Sequence, residues 1–157
     1  MSPFQFDTTP QLSTRMRRIR KKDTKPELAV RRMAHRMGYR YRLHRGDLPG
    51  TPDLVFPARS KVIFVHGCFW HQHDCRLGSK KPSANIDYWH PKLSRNVQRD
   101  AENQRRLAEL GWDVLVVWEC EVREAAQLDR KVMAFLDCPS PAASEACRAA
   151  AAQPSRS

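Results

Sequence analysis

Residues 53–66 read D-L-V-F-P-A-R-S-K-V-I-F-V-H and decide the fold of this 157-residue chain. Residues 53–56 and 61–66 are rich in β-branched and aromatic side chains, and P-A-R-S between them has the composition of a turn. We predict a hairpin with three directly opposed pairs: Phe56 with Lys61, Val55 with Val62, and Leu54 with Ile63. Opposed residues share a face of the sheet, so Asp53 and His66 fall on one face, about 7–8 Å apart as diagonal neighbours.

The predicted hairpin brings three possible metal ligands to one edge of the sheet. The Asp53 carboxylate, the backbone carbonyl of Val65 and the His66 imidazole suit an ion that prefers oxygen ligands, such as Mg²⁺. Phosphodiester hydrolysis uses such an ion. The same pattern also fits an aspartate that merely starts a strand and a histidine that is hydrogen-bonded at a strand end. The pairing alone leaves both interpretations open.

The rest of the chain predicts helices around these strands. A capping box of Thr24 and Glu27 begins a helix that stops at Gly38. Residues 39–44 alternate as a half-buried strand, with Tyr39, Tyr41 and Leu43 on one face and Arg40, Arg42 and His44 on the other. Further elements are a helix from near Pro91 to Gly111, a buried strand over 112–118 and a helix over 122–136. The order predicts an α/β fold with a mixed central sheet flanked by helices.

Charge points to a polyanionic partner. The chain has 28 Lys and Arg against 17 Asp and Glu, a net charge of +11 and a pI near 10.0. A solvated basic surface would share this composition, but the basic residues cluster at positions 15–22, which favours nucleic acid. The chain shows no apolar run of the about 20 residues that a membrane span needs and no secretory signal, so we expect no membrane association and an intracellular location.

Cysteine and histidine spacing predicts a zinc site. Cys68 and Cys75 flank a run that also holds His71, His73 and Asp74, and spacing does not decide among these three. A structural zinc site needs four ligands, and Cys120, at the end of a predicted strand, is the candidate for the fourth. Ordinary unpaired thiols are the alternative. Cys138 and Cys147, in or near the C-terminal tail, are not expected to take part.

Two bulky aromatic residues, Phe69 and Trp70, stand inside this run. On a loop held by zinc they could be inserted between base pairs, or they could belong to the core. Trp89 has the same two interpretations. A mismatched pair opens at a lower cost than a matched pair, so such a wedge would favour mismatched sites.

Four stretches together resemble the very short patch repair (Vsr) DNA mismatch endonucleases. They are L-P-G-T-P-D-L-V, V-I-F-V-H-G-C-F-W-H-Q-H-D-C, N-V-Q-R-D and L-G-W-D-V-L-V-V-W-E-C, and the similarity covers about residues 12–137. The resemblance implies a fold like the type II restriction nucleases. It also implies Mg²⁺-dependent nicking of one strand, 5′ to the T of a G·T mispair that arises when 5-methylcytosine deaminates.

The resemblance also implies roles for individual residues. Asp53 and the Val65 carbonyl would bind Mg²⁺, while His66 and Glu27 would act through metal-bound water. His71 would be the acid/base group, oriented by Asp100. Structural Zn²⁺ would take Cys68, His73, Cys75 and Cys120. DNA contacts would come from Phe69, Trp70, His71 and Trp89, from Met16 in the minor groove, and from Arg15, Arg17 and Arg18.

Three segments follow from this resemblance. We expect a basic DNA-binding segment over residues 1–23, a Vsr-like nuclease domain over 24–137 and a disordered tail over 138–157. The expected partner is double-stranded DNA with a G·T mismatch, with other mismatch-repair proteins as further partners. The expected state is a monomer in the bacterial cytoplasm, associated with the nucleoid.

The chain departs from the family pattern at Val65, where a threonine is common, and at Gln72 and Asp74, which replace histidines. The Asp/Glu-x-Lys pair of restriction nucleases is missing from the second strand, so a lysine-assisted mechanism is not expected. Two alternatives to the mismatch-nicking function are a zinc-stapled DNA-binding module without catalysis and a nuclease of relaxed mismatch specificity.

Overall fold

A computed structural model describes residues 21–139 of the chain as a mixed sheet between helices. The elements run in the order α1 (Lys25–Arg36), β1 (Arg42–Leu43), β2 (Leu54–Phe56), β3 (Lys61–His66), α2 (Ile86–Glu109), β4 (Asp113–Trp118) and α3 (Ala125–Asp137). The sheet order is β1-β2-β3-β4, with β3 and β4 parallel and the other neighbours antiparallel. The predicted fold class and element order are confirmed.

The hairpin of β2 and β3 has the predicted register: Leu54 lies opposite Ile63, Val55 opposite Val62 and Phe56 opposite Lys61. A 3₁₀ turn over Pro57–Arg59 closes it, and Ser60 adopts a left-handed conformation with φ 53°. Both strands are buried almost throughout, which holds the register because a slip by one residue would exchange the two faces.

The two faces of the sheet pack against different helices. Leu54, Phe56 and Ile63 join residues of α1 and α3 in one buried cluster. Val55, Val62 and Phe64 join Leu48 and Leu107 of α2 in the other. The strict alternation along β2 and β3 therefore feeds two cores, and it turns His66 to the same side as Phe64, which is the side of α2.

Helix α2 begins at Ile86, five residues before the predicted start at Pro91. Proline lacks an amide hydrogen and therefore removes one helical hydrogen bond, which is why the sequence predicts that the helix begins near Pro91. Pro91 lies in the second turn, where it removes only the bond to the Asp87 carbonyl. The first turn is held by Trp89, whose ring packs at 5.8 Å from those of Phe69 and Trp70.

Strand β1 is much shorter than the predicted strand over 39–44. Tyr39 is buried as expected, but Leu43 is 41% exposed, although the alternation placed it on the buried face. The alternation fails because His44 has a φ of 45°, which ends the strand and turns its ring inward. The basic outer face therefore extends only over Arg40 and Arg42, which are exposed.

The ends of α1, β4 and α3 differ from prediction in smaller ways. The Glu27 amide donates to Thr24 Oγ1, but the Glu27 carboxylate is used elsewhere, with Arg31 and His44. Strand β4 is half-buried except at Val117, because it lies at an edge of the sheet. A 3₁₀ segment, Glu119–Arg123, precedes α3 and displaces its start from the predicted residue 122.

Within residues 21–139, no helix combines the length and the apolar character that crossing a membrane requires.

A buried ion pair joins the base of β3 to the base of β4. Lys61 is 2% exposed, and its Nζ donates to Asp113 Oδ2 at 3.0 Å while lying 4.6 Å from the centre of the Phe135 ring. An ammonium group buried without a counter-ion is strongly destabilising.

We therefore expect Asp113→Ala to lower the free energy of unfolding by about 2–3 kcal/mol in urea denaturation. The matched control is Asp129→Ala, which removes an exposed partner of Arg36 and should cost less than about 1 kcal/mol. Equal losses in the two variants would show that the Lys61 pair contributes no more than a surface contact.

Candidate active site and metal centre

Carboxylates from α1 and from the start of β2 meet at one end of the sheet. Glu27 is 2% exposed, one helical turn before Arg31. His44 lies between the two carboxylates, with its Nε2 2.9 Å from Glu27 Oε1 and its Nδ1 4.0 Å from Asp53 Oδ1. Arg31 donates to Glu27 through NH2. We call these four residues the carboxylate cluster: Glu27, Arg31, His44 and Asp53.

A second group, the imidazole cluster, consists of His66 at the end of β3, His71 in the following loop and Asp100 of α2. The two rings are stacked, with centroids 3.8 Å apart and planes within 7°. His71 Nδ1 lies 2.5 Å from Asp100 Oδ2, and His66 Nδ1 lies 4.0 Å from the same oxygen. An ionised carboxylate only accepts hydrogen bonds, so this contact assigns the hydrogen to Nδ1 of His71 and leaves Nε2 for proton transfer.

The backbone of Val65 joins the two clusters. Its amide donates to Asp53 Oδ2 at 2.7 Å, and the next residue along β3 is His66. This bond crosses from β2 to β3 beyond the last paired residues, where Asp53 continues the ladder with its side chain. The hairpin register thus determines how far the carboxylate lies from the stacked rings.

Burial changes the ionisation of both central groups. Loss of solvent raises the pKa of Asp53 to about 6, and the charge of Glu27 adds to the rise, whereas the Val65 amide, His44 and Arg31 oppose it. Loss of solvent and the neighbouring His71 lower the pKa of His66 to about 4, against the opposing charge of Asp100. At neutral pH His66 is therefore a neutral ring that can accept a hydrogen bond.

Four residues with sulfur or nitrogen ligand atoms form a third group, the sulfur and nitrogen cluster. One ligand atom from each of Cys68, His73, Cys75 and Cys120 lies within 4.8 Å of the other three. Tetrahedral zinc with bonds of 2.1–2.3 Å would separate its ligands by about 3.5–3.8 Å, and the distance from Cys120 Sγ to His73 Nδ1 is 3.5 Å. His71 belongs to the imidazole cluster and Asp74 is exposed, so the structure separates the three residues that spacing left open.

Three residues that support this centre carried no role in the sequence analysis. The Trp118 ring stacks on His73 at 4.2 Å and meets His66 edge-on at 5.4 Å. Glu119 Oε2 accepts from the Cys68 amide at 3.4 Å. A Cβ at Gly78 would lie 1.9 Å from the His73 carbonyl oxygen, so the loop closes only around a glycine. The parallel register that sets Trp118 beside His66 is the signal that could have revealed the first of them.

The aromatic residues form one half-buried group next to the imidazole cluster. The rings of Phe69, Trp70 and Trp89 contact one another with centroids 5.2–5.8 Å apart. Lys92 Nζ lies 5.5 Å from the centre of the Trp89 ring and 5.9 Å from that of Trp70. Asn96 of α2 donates to the Trp70 carbonyl at 3.1 Å, which ties the group to the helix that carries Asp100.

The remaining predicted residues are accounted for as follows. Met16, Arg15, Arg17 and Arg18 lie outside the described residues, as do Cys147 and almost all of the expected tail. Cys138 is exposed and is not among the clustered thiols. The sequence analysis assigns Arg31 and His44 no role in the site. His44 was assigned to an outward face, and only its positive φ, which follows from the tertiary packing, brings it into the site.

Comparison with known proteins identifies the family. The family model described as DNA mismatch endonuclease Vsr matches residues 6–77. A type II nicking enzyme, V.XorIIP of Xanthomonas oryzae, is 52% identical over 122 residues, which cover 78% of this chain and 89% of that protein. The chain belongs to the Vsr family. It is also similar to the DNA mismatch endonuclease Vsr of Escherichia coli, with 42% identity over 116 residues that cover 74% of each chain.

As a member of the Vsr family, the chain is a DNA endonuclease, a hydrolase that acts on DNA as its substrate. A second nicking enzyme, V.NmeAIP of Neisseria meningitidis, is 41% identical over 119 residues, covering 76% of this chain and 84% of that protein. Vsr-family membership implies the use of divalent metal, and the sulfur and nitrogen cluster could hold a metal ion.

Titration of Asp53 makes stability depend on pH when no divalent cation is bound. Its pKa is higher in the folded than in the unfolded chain, so its contribution to stability is present below pH 4 and is lost as the pH rises through 6. Asparagine keeps the acceptor for the Val65 amide and never ionises.

We expect Asp53→Asn to raise the free energy of unfolding at pH 7.5 in magnesium-free buffer by about 2–3 kcal/mol, and at pH 4.5 by only about 1 kcal/mol. Urea denaturation at the two pH values measures this. Asp47→Asn, which alters an exposed partner of Arg45, is the control and should shift stability by less than about 1 kcal/mol at either pH. A gain for Asp53→Asn that is equal at both pH values would contradict the assigned titration.

Proposed function

We propose that this protein is a Mg²⁺-dependent endonuclease that nicks one DNA strand 5′ to the T of a G·T mismatch produced by deamination of 5-methylcytosine. The observation that carries the proposal is the junction at Val65, which links a buried carboxylate pair to a stacked histidine pair. Phosphodiester hydrolysis needs a place for a hard cation and groups that move protons, and the two clusters have the chemistry for these two tasks.

The carboxylate cluster has the donors that magnesium prefers. Asp53 and the Val65 carbonyl would hold the ion, and Glu27 would act beside them. When bound, Mg²⁺ would neutralise charge on the attacked phosphate and lower the pKa of the attacking water. The raised pKa of Asp53 supports this assignment, because a buried carboxylate that is costly to ionise alone gains a counter-charge from a cation.

The imidazole cluster would move protons. His66 is neutral at physiological pH. Together with Glu27, it would accept a hydrogen bond from the water at the phosphate. His71 would be the acid/base group, because its Nδ1 is occupied by Asp100 and its Nε2 is the atom available to substrate. Hydrolysis requires that the attacking water loses a proton and that the leaving oxygen gains one. The rings of His66 and His71, which would take part in these transfers, are stacked with centroids 3.8 Å apart.

Zinc and the aromatic group would serve DNA opening. Zinc held by Cys68, His73, Cys75 and Cys120 would staple the loop to the end of β4, so that the neighbouring aromatic rings form a stiff wedge. Phe69 and Trp70, supported by Trp89, would enter the base stack from the major groove, and Met16 would enter from the minor groove. Unstacking costs a few kcal/mol per step, which is lowest at a mispair.

The nicking assay tests the function directly. A labelled duplex with one G·T pair should be cut 5′ to the T in the presence of Mg²⁺, while the matched G·C duplex stays intact. Asp53→Ala should slow cleavage by at least about 100-fold because it removes a metal ligand, whereas the exposed-site control Asp129→Ala should cleave at the wild-type rate.

Three outcomes of that assay would contradict the proposal. Full cleavage by Asp53→Ala would remove Asp53 from the site. Binding of the G·T duplex without any cleavage would favour a DNA-binding module. Cutting of other mispairs or of matched sites at similar rates, in a panel with varied flanking bases, would favour relaxed specificity.

The zinc assignment has its own test. Cys120→Ser should reduce bound zinc from about one ion per chain and lower the melting temperature as well, since metal binding contributes directly to folding. Cys138→Ser changes an exposed cysteine outside the cluster and is the matched control. Metal analysis that finds the same zinc content in both variants would exclude Cys120 as a ligand.

A further inference from the structure

Arg31 makes the strongest contacts in the carboxylate cluster. Its side chain is only 11% exposed, and its two terminal nitrogens serve different partners. NH1 donates to Asp23 Oδ1 at 2.7 Å, while NH2 donates to Glu27 Oε1 and lies 2.8 Å from His44 Nε2. The Arg31 carbonyl also accepts from the Tyr41 hydroxyl at 3.1 Å. The two terminal nitrogens therefore hold the guanidinium between Asp23 on one side and Glu27 and His44 on the other, while its buried Nε has no hydrogen-bond partner.

His44 extends this contact toward Asp53. Its Nε2 lies 2.8 Å from Arg31 Nη2, which can only donate, and 2.9 Å from Glu27 Oε1, so this ring nitrogen meets both members of the Arg31–Glu27 pair. Nδ1 faces Asp53 Oδ1 at 4.0 Å. The result is a continuous chain of polar groups from Arg31 and Glu27 through His44 to Asp53, the carboxylate for which metal binding is proposed.

This arrangement of polar groups around Glu27 has a physical reason. The Glu27 side chain is 3% exposed, and an ionised carboxylate at that depth is stable only when a positive or hydrogen-donating partner is bonded to it. Arg31 provides this partner from within the same helix, one turn later. Without it, the buried Glu27 carboxylate would lose its charged partner, which favours turning toward solvent and away from Asp53.

An opposite effect competes with this one. A guanidinium near a cation site repels the cation, so Arg31 could in principle weaken metal binding. Its charge, however, is shared between Glu27 and the exposed Asp23, and the three groups together carry a net charge of −1. Arg31 is bonded to Glu27 and not to Asp53, so the Asp53 carboxylate would remain available to bind the ion. We judge that orientation of Glu27 outweighs the repulsion.

We propose that Arg31 and His44 are positioning residues of the active site, which hold the Glu27 carboxylate in place beside Asp53 and thereby set the affinity of the site for its divalent cation. This inference rests on the proposed Mg²⁺-dependent nicking function. Neither residue touches the reacting atoms; Arg31 acts through Glu27, and His44 couples Glu27 to Asp53.

The main test compares three variants in single-turnover nicking of the G·T duplex over a range of Mg²⁺ concentrations. Arg31→Met should lower the rate and raise the half-saturating Mg²⁺ concentration, with a combined loss of about 10- to 100-fold. Arg31→Lys, which keeps a cation and one donor, should recover much of that loss. Arg32→Met changes the exposed neighbour on α1 and should match the wild type.

A second measurement does not depend on cleavage. Mn²⁺ binding to the protein alone, followed by electron paramagnetic resonance, should be weakened by Arg31→Met and by His44→Leu but not by Arg32→Met. Affinity for the G·T duplex without divalent cations, measured by fluorescence anisotropy, should stay within about twofold for all variants, because the side chain of Arg31 is bonded inside the protein. If the wild type binds Mn²⁺ but does not nick, the proposed function fails while this inference is still decided by the Mn²⁺ measurements.

Four results would overturn the proposal. Tighter Mn²⁺ binding by Arg31→Met would make Arg31 a competitor of the cation. An equal loss of DNA affinity and cleavage would make it a DNA contact. A lower melting temperature with unchanged rate and unchanged Mn²⁺ binding would make it purely structural. In a Glu27→Gln background, a further loss from Arg31→Met of more than about threefold would show that Arg31 does not act through Glu27.

Discussion

The hydrogen bond from the Val65 amide to Asp53 Oδ2 is the interaction on which the candidate site depends. It forms only if β2 and β3 pair in the register that sets Leu54 opposite Ile63, and that register is held by side chains buried on both faces. A slip of one residue would move the apolar side chains to the wrong core and would displace the Val65 amide from Asp53. The same register of β2 and β3 is therefore required for the stability of the sheet and for the geometry of the site.

The parallel pairing of β3 with β4 adds the second half. It sets Trp118 beside His66, so that one indole contacts His66 of the imidazole cluster and His73 of the sulfur and nitrogen cluster. It also delivers Cys120 to the loop that follows β3. Helix α2, which connects these two strands, supplies Asp100 to His71 and Asn96 to the Trp70 carbonyl. The crossover connection thus positions the imidazole cluster and the aromatic group together.

The chain concentrates polar groups of low exposure at the end of the sheet that carries the candidate site. Glu27 and His66 are buried there and the Asp53 side chain is 17% exposed, while the opposite end holds the Lys61–Asp113 pair. Buried charges oppose folding unless they are paired. Burial shifts the pKa values of Asp53 and His66 in opposite directions, and such shifts are frequent at functional sites. Arg31 and His44 reduce the cost at the carboxylates, which explains why basic side chains lie inside a site proposed to bind a cation.

The sequence by itself determined the two hairpin strands, their register and the order of the elements, because alternation of buried side chains and turn chemistry are local properties. Its motifs indicated the family. It also indicated Cys68, Cys75 and Cys120 as possible ligands, but it left His71, His73 and Asp74 undecided. Tertiary structure separated these three, since Asp100 reaches His71 from α2 and Cys120 reaches His73 from beyond β4. It alone revealed His44 and Arg31 in the site, because the inward turn of His44 departs from strand alternation and brings its ring to the Arg31 side chain on α1.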